Sequence, residues 1–130
     1  MRDEAPDRPH HVELRFPADG AYVAILRTVT AGLAARCQLT VDEIEDLRIA
    51  VDEACALLLP HAAPDAALTA RFVLEKGRVD FVAELPAQPG AEPDRSGFAW
   101  TVLRALADDA QVSARDGVLS IALTKRRVAT

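Results

Sequence analysis

The chain has 130 residues, half of them hydrophobic and 27% charged, the composition of a globular domain long enough to bury a core. Its 15 basic and 20 acidic residues leave a net charge of −5, which excludes a generally basic nucleic-acid binder. Apolar stretches such as Ala54 to Leu59 fall far short of the roughly 18 residues that span a bilayer, and the acidic start (Asp3, Glu4, Asp7) has no signal-peptide core. The expectation is a cytoplasmic protein.

Residues 1–10 carry prolines and charges without periodicity and read as a flexible segment, with one domain over 11–130. His11 to Phe16 alternates, placing Val12, Leu14 and Phe16 on the buried side of a strand. From Asp19, an N-cap residue type, a helix is predicted to about Arg36, with Tyr22, Ile25, Leu26, Val29 and Leu33 as its core stripe. Thr40 and Glu43 form a capping box that starts a second helix reaching about Pro60. Its core stripe is Ile44, Leu47, Val51, Cys55 and Leu58. Two hairpins follow. The first joins Ala67–Glu75 to Arg78–Leu85 through Lys76-Gly77; the second joins Gln111–Ala114 to Val118–Lys125 through Arg115-Asp116-Gly117. Between them lie a proline-rich loop, 86–96, and a third helix opened by Gly97 and running to about Asp109. This order predicts an α+β fold, a two-layer α/β sandwich with one mostly antiparallel sheet and helices on a single face.

Neither Cys37 nor Cys55 has the spacing of a zinc site or disulfide framework, so both are expected to be reduced and packed, and no metal site is expected. The acidic run Asp42 to Asp46 and basic Lys125 to Arg127 read as solvated element ends.

Three features depart from a plain core. Opposite the core stripe of the second helix lie Asp46, Ile49, Ala50, Glu53 and Leu57, either a helix packed under a loop or a pocket floor centred on the Glu53 carboxylate. On the first helix, Arg27 is the only charge between Asp19 and Arg36. The face assigned opposite the core, with Val23, Ala24, Thr30, Ala31 and Ala34, reads as a partner surface anchored by Arg27, or as small residues that tolerate water. Trp100 is assigned to the side of its helix away from Phe98, Val102 and Leu106, as a cap on the loop or an interface anchor.

The element order and the stretch Asp46-Leu-Arg-Ile-Ala-Val-Asp-Glu-Ala-Cys55 resemble the GHKL (Bergerat-type) ATP-binding domain, specifically anti-sigma factor kinases of the RsbW and SpoIIAB type. The resemblance covers about residues 11 to 125, and Val102 to Asp109 is similar to the actinobacterial sigma-F regulators in particular. It implies that Glu53 matches the general base of a serine kinase, while the family's Mg²⁺-holding asparagine is Leu57, which has no oxygen to offer a hard cation. The family's Asp-x-Gly-x-Gly falls near Glu84 to Pro89 with neither glycine present. The phosphate-binding Gly-x-Gly-Leu reads Gly97-Phe98-Ala99-Trp100, where Ala99 puts a methyl at a close backbone approach. Arg27 stands at the family's spacing from the glutamate, where the resemblance implies an arginine contacting both the sigma factor and its STAS-domain competitor.

The expectation is therefore a homodimeric anti-sigma factor that sequesters an alternative sigma factor, is antagonised by a STAS-domain anti-anti-sigma factor and needs no cofactor. Direct nucleic-acid and membrane contacts are not expected. The alternative is an active kinase using ATP and Mg²⁺ to phosphorylate the antagonist, with Glu53 as base. A third class is a small-molecule sensor using the altered pocket.

Overall fold

A computed structural model describes residues 8–128. Most of the segment 1–10 lies outside the described residues, and its last residue, His10, is already paired with Leu74 in the first strand. The elements are β1 (His10–Pro17), α1 (Val23–Arg36), α2 (Val41–Leu58), β2 (Ala67–Glu75), β3 (Arg78–Pro86), α3 (Phe98–Leu106), β4 (Asp109–Arg115) and β5 (Val118–Arg126). The sheet order is β1-β2-β3-β5-β4 with every pairing antiparallel.

Both hairpins form, but the second turn is Asp116-Gly117 alone, because Arg115 still pairs with Val118 at the end of β4. Asp116 and Gly117 take φ of 54° and 78°, the left-handed pair that matches strand twist in a tight hairpin. The two central strands β2 and β3 alternate in burial along their length. In β3, Val79, Phe81, Ala83 and Leu85 are buried while Arg78, Asp80, Val82 and Glu84 face the other way. The buried faces of β2, β3 and β5 supply about half of the core, with Phe72 and Phe81 paired across strands at 5.0 Å between ring centroids. Onto this face packs α2, whose Leu47, Val51, Cys55 and Leu58 are buried as its periodicity requires. α1 and α3 flank it.

The two shorter helices are rotated relative to the sequence reading. On α1, Leu26, Thr30 and Ala34 are fully buried, whereas Tyr22 and Ile25 are 39% and 56% exposed. Val23 and Leu33 pack against the core's edge, and Ala24, Thr28 and Gly32 are exposed. The helix is apolar nearly all round, so bulk gave no reliable face. Close approach selects the small residues instead, and Thr30 can be buried because its hydroxyl donates to the Leu26 carbonyl at 2.8 Å. α3 ends at Leu106, not Asp109, because Asp109 already pairs with Thr124 in β4. Its buried residue is Leu103; Trp100 packs against the core and Phe98 is 79% exposed, the reverse of the expected assignment.

The charged ends are also not simply solvated. Glu43 is buried, accepting the N–H of Thr40 at 2.8 Å and that of Val128 at 2.6 Å, so it both closes the capping box and ties down the end of β5. Lys125 points inward, bonding the Leu106 carbonyl at 2.8 Å and Asp46 at 3.3 Å, a cation at the C-terminus of α3. Burial opposes charge on Glu43, but the bonds from Thr40 and Val128 and the Lys125 charge outweigh it and hold the carboxyl below its ordinary range. A depressed carboxylate contributes stability above its unfolded value of 4.5, lost as pH falls through the lower folded value. Glu43→Gln is therefore expected to melt below the parent at pH 7 by about 1 kcal/mol. The gap should narrow below pH 4.5 in melts followed by circular dichroism.

Candidate functional site

α2 carries charge on two flanks, each facing a different helix. On the α1 side, Asp52 Oδ2 lies 2.8 Å and Oδ1 3.0 Å from Arg27 Nε. Both side chains remain part-exposed, 41% for Arg27 and 29% for Asp52. On the α3 side runs the stripe Asp46, Ala50, Glu53 and Leu57, its direction fixed by the bond that Asp46 accepts from Lys125, which also holds the end of α3. Ala50 is fully buried and Leu57 is 8% exposed; Glu53 is half-buried and Ile49 is 37% exposed. Ala50 and Leu57 are thus covered by the protein itself, while Ile49 stays exposed and Glu53 lies at the edge.

Of the residues expected to join Glu53 and Leu57, the structure separates one. Glu84 is on the sheet face opposite the helices, paired with Arg71, which also bonds Glu13 at 2.9 Å. It cannot share a site with Glu53, because successive strand residues point to opposite faces and it is Ala83 and Leu85 that face the helices. Gly97 is the N-cap of α3, and Ala99 packs against the core. Trp100 packs there too, with the Arg104 guanidinium 6.0 Å from its ring centroid. Trp100 thus sits part-buried at the core's edge, and the exposed ring at this end is Phe98.

The α1 face expected to meet a partner is likewise composed of other residues. Thr30 is sealed inside, Val23 lies against the core's edge and Ala31 is half-buried, leaving Arg27 flanked by the exposed Ala24, Ile25 and Thr28. The sequence reading missed Asp52, which positions Arg27. Its signal was present, since an acidic residue on the flank of α2 nearest α1 faces a helix whose one cation before its final residue, Arg36, is Arg27. Cys37 and Cys55 are free and buried. Burial, with the Asp52 charge adding, pushes the Cys55 thiol up to about 12 and so keeps it unreactive.

Residues 16–125 match the family described as Histidine kinase-like ATPase domain. The anti-sigma-F factor RsbW of Mycobacterium tuberculosis is 37% identical over 92% of this chain and 75% of its own. The chain belongs to the RsbW-type anti-sigma factor family. A serine-protein kinase RsbW of Bacillus subtilis is 28% identical over 88% of this chain and 84% of its own. Among solved structures, the RsbU and RsbW domains of Rv1364c from Mycobacterium tuberculosis superpose with a TM-score of 0.68. That match has 21% identity and covers 96% of this chain and 35% of the larger one, a likeness of fold.

The family implies ATP and Mg²⁺, and the residues present do not fit them. At the metal-ligand position Leu57 is a buried hydrocarbon. Where the glycine-rich turn would offer N–H groups to phosphate, Ala87 donates to the Gly117 carbonyl and Gln88 to the His61 carbonyl, each at 2.8 Å. The segment is stitched into the sheet's end by the bridge between Ala62 and Ala87. Among the described residues no helix is long and apolar enough to cross a membrane.

Proposed function

We propose that this RsbW-type protein is an anti-sigma factor that sequesters an alternative sigma factor as a homodimer. A STAS-domain anti-anti-sigma factor releases it by competing for the same surface, with little or no phosphoryl transfer. The observation that carries this reading is the contrast between the two flanks of α2. On one, Asp52 holds Arg27 part-exposed among the exposed α1 residues Ala24, Ile25 and Thr28, as a binding surface requires. On the other, Leu57 fills with hydrocarbon the place where a kinase would keep a metal ligand. The resemblance to RsbW proteins supports the partner classes; the buried leucine and the bonded loop N–H groups support binding without catalysis.

The second reading is a working kinase, favoured by Glu53 at the edge of its stripe and by relatives that are serine-protein kinases. Calorimetric titration of Mg-ATP separates the two. No saturable heat at micromolar concentrations is expected. Micromolar affinity, or Mg-dependent phosphorylation of the antagonist that Glu53→Ala abolishes, would establish the kinase.

A further inference from the structure

β4 lies at one edge of the sheet, paired with β5 alone, and among the described residues its outer side makes no further backbone hydrogen bond. Which of its groups face outward follows from the hairpin. A two-residue turn is closed by a hydrogen-bonded pair, here Arg115 and Val118, and bonding alternates along an antiparallel ladder. Asp109, Gln111, Ser113 and Arg115 therefore direct their N–H and C=O groups to β5, and those of Ala110, Val112 and Ala114 are left at the open edge. The side chains divide in the same way. Ala110 and Val112 pack against the core on the helix side, while Asp109, Gln111, Ser113 and Arg115 are exposed on the other face of the sheet. Among the described residues neither Asp109 nor Arg115 has an ion pair.

An open edge is a template for another strand, and Asp109-Ala-Gln-Val-Ser-Ala-Arg115 is complementary to itself. Laid antiparallel to a second copy and centred on Val112, it sets Asp109 opposite Arg115 of the other copy at both ends, Gln111 opposite Ser113 and Ala110 opposite Ala114. In that register the outward groups of Ala110, Val112 and Ala114 meet as hydrogen-bonded pairs. The charged pairs fall at the non-hydrogen-bonded positions, where side chains are closest. No other register overlays all seven residues. The opposite edge, β1, is less suited: Arg71 already engages its Glu13, and its eight residues cannot overlay themselves without setting helix-side against open-face positions.

We infer that a second copy of this chain docks along β4, joining the two sheets into one continuous sheet with the helices of both copies on the same face. This rests on the homodimer reading above and names the surface that such a dimer uses.

Sedimentation equilibrium of the full chain tests it through two charge reversals. Asp109→Arg and Arg115→Asp each set like charges opposite one another at both ends of the paired strands. Each is expected to weaken self-association by about tenfold or more, with an unchanged circular dichroism spectrum. An equimolar mixture of the two variants restores unlike pairs and is expected to dimerise as the parent does, a result that misfolded variants could not give. Variants that each dimerise as well as the parent, or a mixture that associates no better than either variant alone, would overturn the inference while leaving the homodimer reading intact. A parent that stays monomeric at every concentration would overturn both.

Discussion

Arg27→Ala is expected to weaken binding of the cognate sigma factor by about 30- to several-thousand-fold, the 2 to 5 kcal/mol that truncating one partner of a buried charge pair costs. The geometry makes the residue suited to this. Asp52 engages Nε alone, so the side chain is aimed while the four Nη hydrogens stay available for a forked bond to an acidic group. Without a partner the same truncation costs little, because an ion pair 41% and 29% exposed is worth about 1 kcal/mol or less. Surface plasmon resonance against sigma factor and STAS antagonist, with melts as the folding control, checks the separation of effects. Asp52→Asn should weaken binding less than Arg27→Ala, since it loosens the arginine without removing it. Unaltered affinity of Arg27→Ala for both proteins would refute the shared surface.

Leu57→Asn is expected to destabilise the fold by about 3 kcal/mol. Truncating a buried leucine costs about 2 to 5 kcal/mol, and an amide left unpaired in its place adds about 1 to 3 kcal/mol, moderated here because the position is 8% exposed. For a domain of this size the melting temperature should fall by about 10 °C. Leu57→Met, which keeps volume and polarity, should cost less than about 1.5 kcal/mol. Mg-ATP should not restore the loss in Leu57→Asn, because the Ala87 and Gln88 N–H groups stay bonded within the fold. An unchanged melting temperature would mean that position 57 is not covered by the protein.

What could be read from sequence, and what could not, divides along physical lines. The hairpins were legible because Lys76-Gly77 and Asp116-Gly117 interrupt alternating runs, and α2 because a capping box and a long apolar stripe agree. The face of α1 was not, since a helix apolar on every side has no periodicity to read, and the deciding factor was how closely Thr30 and Ala34 let it approach. α3 failed similarly: seven of its nine residues are apolar by type, and only the structure shows that Trp100 packs inward while Phe98 stays out. Glu84 was placed with Glu53 by motif alignment alone, but a shift of one residue along a strand exchanges the faces of the sheet. The partners Asp52 and Lys125 depend on contacts between elements distant in sequence, which periodicity does not encode.

Under the proposal above, this protein works by holding a sigma factor and not by transferring phosphate. The measurement that tests it most directly is equilibrium binding of the purified chain to its cognate sigma factor, by surface plasmon resonance, with and without Mg-ATP and then with the unmodified STAS antagonist added. The account expects the same affinity with and without nucleotide, and displacement of sigma by the antagonist. Binding that requires Mg-ATP, or no binding of sigma at all, would contradict it.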